Sequence, residues 1–568
     1  MSARNVWGTL GAAAGVAVLA GTLLAGSPAE ACGGFFCNRV PVDQTGEQIL
    51  FAQQGNQIEA HVNILYQGPS ERFAWIVPTP SNPEIGVSTA QLFAQLKWRT
   101  GVQYQLQWED QQNCWWGRGD DDFDSATGGG PPNEGDVEVI QQSSVGPYDY
   151  AVLKADSVTA LFDWLHANDY DVPDEAQPFV EPYIIPDSTM HFVAFRLQKD
   201  RDTGDIQPVT LKYNSTKPMI PIQLTAIATQ PDLGVTVHIL GEARAVPENF
   251  LHVYPNEALI DWLGAGSNYD QLVTAAMNEA GGQGFTTEYA GPSDVMMMSL
   301  YRDGMFDTDR LSQQATALEF FNELQSQGFT GDPQLLGMFL RYIPFPDALA
   351  EQGLSPQDFY NCLECYAEYL PEEFDAEAFA NEIEGSIVAP LRHAQELFDT
   401  LPYLTRMYST LSAEEMTLDP VFAYNRDMPD VSNIRTATAR LGDGATCEEN
   451  APVVITLADG REIEQTLTWN NFPLDDALAG GADATERVEM TAEAGSPQVV
   501  KDLAAGIDDL DQVIEDRAKG NVGGPLIGNG DHMGSGRDSG CAVGTGASTP
   551  ALGLALLALG LLVVGRRR

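Results

Sequence analysis

Apolar and polar residues alternate over Ile58, Ala60, Val62, Ile64 and Tyr66, the period of a strand with one buried face. The stretches EQILFAQQ, QIEAHVNILYQG and RFAWIVPTP follow in quick succession, with GN and GPSE between them as turn signals. A short helix over 89–98 and a strand VQYQLQWE come next, then VEVIQQ and YDYAVLKA as strands and SVTALFDWLHAN as a helix. HFVAFRLQ and IQPVTLKY are expected to form a hairpin around KDRDTGD, and PIQLTAIAT and GVTVHILGE close the strand set. The spacing therefore predicts a strand-rich, sandwich-like domain over 32–247.

Helical spacing dominates 248–430, carried by YDQLVTAAMNEA, ATALEFFNELQSQ, PQLLGMFLRYI, AFANEIEGSIVAPLRHAQELFDTL and LTRMYSTL. A small β unit is expected at 431–475, with Asp459-Gly460 as its hairpin turn. Residues 476–540 read as an Ala/Gly-rich acidic linker with one helix over 497–519, and 541–568 as a hydrophobic C-terminal helix. The fold class is α+β, and no internal repeat is visible.

The two ends carry an address. Residues 1–31 have Arg4, an apolar run over 10–26 and the small residues Ala29 and Ala31 of a cleavage site, the parts of an export signal. Cleavage after Ala31 leaves Cys32 first. Lipoprotein processing asks for a large apolar residue and a small neutral one where Ala29 and Glu30 stand, so ordinary cleavage is the expectation. At the other end, 542–564 is an uncharged run of 23 residues, and at about 1.5 Å per residue it can span a hydrocarbon core of about 30 Å. Its strongly apolar part, 551–564, is short, and Arg566, Arg567 and Arg568 would hold the C-terminus in the cytoplasm. A Gly/Ser-rich stretch, Cys541, a short apolar run and a terminal arginine cluster together resemble the MYXO-CTERM sorting tail of myxobacterial surface proteins. That resemblance implies processing at or near Cys541 by export and sorting machinery. The membrane would be a partner through 542–564 until the tail is cut. The body is expected outside, at the cell envelope or outer surface; a plain single-pass anchor is the competing reading.

Charge narrows the partners. The 568 residues hold 80 Asp plus Glu against 30 Lys plus Arg, a net charge of −50. Such a surface repels nucleic-acid phosphates and anionic headgroups and attracts cations. Asp120, Asp122 and Asp124 alternate in RGDDDFDS, and oxygen ligands so spaced can wrap Ca²⁺, the one candidate cofactor. Ser125 stands where an EF-hand needs Gly, and a solvated acidic loop competes with the calcium reading. With Cys541 set aside, six cysteines remain, an even number that favours disulfides in an exported protein. Cys32 and Cys37 bracket the small loop CGGFFC, Cys362 and Cys365 form a C-x-x-C in an amphipathic segment, and Cys114 and Cys447 are left as a long-range pair. A structural bridge at Cys362 and Cys365 is expected over a redox pair, because no thioredoxin-like strand precedes it.

No sequence motif names a reaction: there is no G-x-S-x-G, no phosphate-binding loop, no G-x-G-x-x-G after a strand and no H-E-x-x-H. The seven histidines are scattered, and His61, His191 and His238 in strands read as packed imidazoles. A triad assembled in space stays open, because geometry rather than chain order sets such sites. ACGGFFC after the signal, then VDQTGEQILFAQQG, AHVNILYQG, FAWIVPTP and LTRMYSTLSAEEMTLDPVF, resemble the exported bacterial family catalogued as domain of unknown function number 2330. The likeness covers most of 32–430 and implies a grouping, with no activity or site residues to transfer. The expectation is thus an exported, surface-anchored structural or binding protein, cation-dependent on the calcium reading, without a catalytic motif. An extracellular hydrolase with a non-local site, or an envelope thiol–disulfide factor using Cys362 and Cys365, is the alternative.

Overall fold

The computed structural model describes residues 43–519, apart from 68–73, 110–137, 169, 171–175, 185–187, 199–205, 228, 329–333, 447–449 and 467–471. All of these fall within one compact unit, Met1–Gly524. Among the described residues, eleven strands form one large sheet. From edge to edge they run Ile507–Asp508, Gln498–Asp502, Thr485–Met490, Leu251–Pro255, Gly284–Pro292, Tyr403–Leu411, Thr229–Gly241, Asp43–Gln54, Gln57–Gln67, Val209–Asn214 and Glu84–Val87. The strand Asp43–Gln54 is antiparallel to Gln57–Gln67 and parallel to Thr229–Gly241, so it is central and apolar on both faces. The first hairpin closes at Gly55, whose φ of +62° suits a residue without Cβ.

Period-2 alternation sorts the core into layers. Ile49, Phe51, Ile58, Ala60, Val62, Val235 and Val237 face a second sheet of four strands, ordered Ala74–Thr79, His191–Leu197, Tyr148–Lys154 and Glu138–Val145. That sheet answers with Trp75, Val77, Val152, Val193 and Phe195, a sandwich as the alternation suggests. Its outer face, with Ile76, Leu153 and Phe192, is covered by Leu161, Phe162 and Leu165 of the helix Val158–Ala167. On the other side of the large sheet, Leu50, Ala52, Leu240 and Leu404 pack against the helix Ala90–Thr100 and a helical block running from Thr308 to Thr400. Helices on both outer faces make the chain α+β.

Several expectations are corrected. His191–Leu197 and Val209–Asn214 are not a hairpin: they lie in different sheets. The first is buried on both faces and already hydrogen-bonded on both edges, by Ala74–Thr79 and Tyr148–Lys154, so it has no edge left. PIQLTAIAT contributes a helical turn, Ile222–Thr225, rather than a strand. In place of one helix over 497–519, Gln498–Asp502 pairs with Thr485–Met490, Gly506 turns the chain at a φ of +66°, and the helix starts only at Leu510. The stretch 476–519 therefore feeds the main sheet, as do Leu251–Pro255, Gly284–Pro292 and Tyr403–Leu411 from the segment read as helical. The β unit at 431–475 does form a hairpin, with Gly460 at a φ of +88°, and gains Gln103–Trp108 as an edge strand. Among the described residues no helix is long and apolar enough to cross a membrane, and 542–564 lies outside them.

Asp419 is a buried carboxyl that ties three segments together. Its Oδ1 accepts from the Tyr183 hydroxyl at 2.8 Å and the Gln223 amide at 3.1 Å, and its own carbonyl accepts from Asn249 Nδ2. Burial, only partly offset by those bonds, pushes its pKa up from 3.8 to about 6. Between those values the folded chain keeps a proton that the unfolded chain has released, so stability falls as pH rises through the window. Asp419→Asn keeps the acceptor and removes the charge. Chemical denaturation from pH 4 to pH 6 should show wild type losing about 2 kcal/mol relative to this variant; parallel profiles would contradict the assignment.

Candidate metal centre

The strand Gln57–Gln67 places Ile58, Ala60 and Val62 in the sandwich, so Glu59 and His61 point the other way, under the helical block. That second face is not wet: Glu59 is 7% exposed and His61 1%. The polar half of the alternation is thus a buried pair in need of partners.

The partner from the helical side is His393, on the helix Ala389–Thr400. Its position is set by Pro390. Proline has no N–H to give to the carbonyl four residues back, and its ring crowds that carbonyl. The preceding turn, Glu384–Val388, widens into a π-helix, and the Ser386 carbonyl is taken instead by Gln207 Nε2 at 2.6 Å. Gln207 Nε2 also bonds the Ser88 carbonyl at 2.8 Å, which ties the helix start to the segment between Glu84–Val87 and Ala90–Thr100. Thr89 caps the latter helix by accepting from the Gln91 amide, and Ser88 just before it is left facing His61.

Three donor atoms converge. Glu59 Oε1 lies 2.5 Å from His393 Nε2 and 3.3 Å from His61 Nε2. The donors all lie within 4.8 Å of one another. His61 Nδ1 is 2.8 Å from Ser88 Oγ, and its buried Nε2 faces Glu59 Oε1. Lys212, directly across from Glu59 on Val209–Asn214, holds its Nζ 3.9 Å from Oε2. Burial opposes ionisation of Glu59, but hydrogen bonds and charge from His393 and His61 outweigh it and hold the carboxyl far below the usual range. The same Glu59 hydrogen bond raises the His393 imidazole above its ordinary value.

Two imidazoles and one carboxylate are the donor set of open zinc sites and of facial-triad iron sites. Donors around a tetrahedral zinc ion stand about 3.3 Å apart, so the cluster fits after small side-chain shifts. In the tautomer whose Nδ1–H donates to Ser88 Oγ, His61 presents its Nε2 lone pair towards the Glu59 carboxylate, where a cation would be held by both. A serine–histidine–carboxylate relay uses the same atoms in another way, but Ser88 is 1% exposed and offers no approach to a substrate carbonyl.

The other candidates divide. Asp120, Asp122 and Asp124, the cysteines Cys32, Cys37, Cys114, Cys447 and Cys541, and Ala31 lie outside the described residues. Cys362, between the helices Pro356–Asn361 and Leu363–Tyr369, and Cys365, within the second of them, are joined by a disulfide with Cα atoms 5.3 Å apart. His238 is buried and held neutral, first by burial and then by Arg406. His191 Nδ1 bonds the Thr189 carbonyl, and His252 bonds Thr287 and meets Glu489 in a separate buried network. No sequence motif marks the centre at Glu59, His61 and His393; the available signal is E-x-H at alternate positions of one strand.

The family model described as "Uncharacterized protein conserved in bacteria (DUF2330)" matches residues 27–319. This segment includes Glu59, His61, Ser88 and Lys212, while His393 lies beyond it. No curated protein and no solved structure matches the chain.

Ser88→Ala leaves all three donors in place and removes only the group that orients His61. Equilibrium dialysis should show its zinc affinity reduced about 10–100-fold; an unchanged affinity would mean that Ser88 does not set the His61 tautomer.

Proposed function

Because the chain belongs to this family of uncharacterized bacterial proteins, its own chemistry must carry the reading, and we propose that it is an exported surface protein that binds one divalent transition-metal ion through Glu59, His61 and His393. The observation behind the proposal is the convergence of Glu59 Oε1, His61 Nε2 and His393 Nε2, donor atoms within 4.8 Å of one another at a site where Glu59 and His61 are buried. Export is supported by the leader-like 1–31, and surface retention by the Cys541 tail with its likeness to the myxobacterial sorting signal. The acidic surface concentrates cations around the molecule. On this reading the protein is cation-dependent through nitrogen and carboxylate donors, and the loop of Asp120, Asp122 and Asp124 is a separate calcium candidate. A hydrolytic use of the metal is the second reading, favoured by the three-donor set, which leaves a coordination position free.

Calorimetry on the metal-stripped full chain should find one zinc ion bound. Glu59→Gln, His61→Ala and His393→Ala should each lose more than the 10–100-fold that outer-shell partners contribute. Asp120→Asn combined with Asp122→Asn should leave zinc binding intact. Absence of zinc binding by wild type, or equal binding by the His393 variant, would contradict the proposal. For the address, the intact mass from the host's surface fraction should fit a chain from Cys32 to near Cys541.

A further inference from the structure

The cluster is closed on most sides. Of the side chains around it, Glu59 is 9% exposed and His61 1%, whereas His393 is 45% and Lys212 35% exposed. A ligand arriving at the fourth coordination position therefore enters between His393 and Lys212. Lys212 belongs to a strand with neighbours on both sides, paired with Glu59 on one and Glu84 on the other, so its backbone is fixed beside Glu59 and its Nζ lies 3.9 Å from that carboxylate. It is also close enough to His393 to oppose that imidazole's charging.

Loading the centre changes what Lys212 sees. Without the ion, its neighbour is an anionic carboxylate at 3.9 Å. With an ion on Oε1, part of that carboxylate's charge is drawn to the metal while Oε2 stays beside Lys212, and the metal and the ammonium lie near one another. Nearby positive charges of this kind are stabilised by an anion placed between them. Resting on the metal reading above, we propose that the loaded centre is a receptor for an oxyanion group, phosphate or carboxylate, with one oxygen on the metal and another accepting from Lys212 Nζ. Glu396, within electrostatic reach of His393, and Glu84 opposite Lys212 add negative charge at the rim, which favours ligands of low charge. In a chain of net charge −50, such a spot would be a local exception on an otherwise anion-repelling surface.

The test uses the cobalt-loaded full chain, whose visible d–d absorption reports the metal's own ligands, with inorganic phosphate and acetate as probes. Either probe should shift the wild-type spectrum saturably. Lys212→Met should weaken that response about tenfold or more while cobalt affinity holds or rises, and Lys212→Arg should retain it. A wild-type spectrum indifferent to both probes, or a Lys212→Met response equal to wild type, overturns the oxyanion proposal and leaves the metal site standing. Failure of the wild-type chain to take up cobalt at all would overturn the metal reading beneath it.

Discussion

The carboxylate of Glu59 lies beneath a helical layer, and its charge is tolerated there because His61 and His393 converge on it. A lone buried carboxylate costs several kcal/mol and normally takes up a proton instead. Here the balance runs the other way, and the carboxyl is held ionised. That requirement couples distant parts of the chain. His393 can reach Glu59 only if the helix Ala389–Thr400 crosses the sheet at this point, which depends on the widened turn before Pro390 and on Gln207 receiving the freed Ser386 carbonyl. The Gln207 side chain bonds Ser88 as well, so one amide holds both walls of the centre.

Much of this architecture could be read from residue order. The alternation from Ile58 to Ile64 identifies the strand, and the apolar face it predicts is the face in the sandwich. Asp459-Gly460 marks a real hairpin, and SVTALFDWLHAN a real helix. What could not be read is where the second face of a strand goes. Glu59 and His61 look like a solvated face because polar residues at alternate positions usually are one, and only the helical block brought in between Pro292 and Tyr403 shows that they are buried. Their third partner is 334 positions away, beyond the reach of any local pattern. The same limit explains the strands after residue 484: Val499 and Val500 are too few to outweigh acidic, helix-forming neighbours until Thr485–Met490 offers them an edge.

The centre also gives the extreme composition a use. A strongly acidic surface raises the local concentration of cations without choosing among them. Selection then falls to donor type, and imidazole nitrogens favour borderline transition metals over calcium or magnesium. His252 with Glu489 shows what a purely structural counterpart looks like in the same molecule. There both ring nitrogens are engaged, by Thr287 and by the Glu489 carboxylate, and Arg487 bonds that carboxylate in turn. At Glu59 a second imidazole, His393, reaches the same carboxylate oxygen that His61 faces. That convergence of two imidazoles on one carboxylate separates the candidate centre from a packed histidine.

X-ray absorption at the zinc edge of the loaded, full-length protein tests this directly. The account predicts a shell of light scatterers at about 2.0–2.1 Å, with the outer-shell pattern of two imidazoles that falls to one in His393→Ala. A shell without imidazole scattering, or one containing sulfur at about 2.3 Å, would place the metal elsewhere and contradict it.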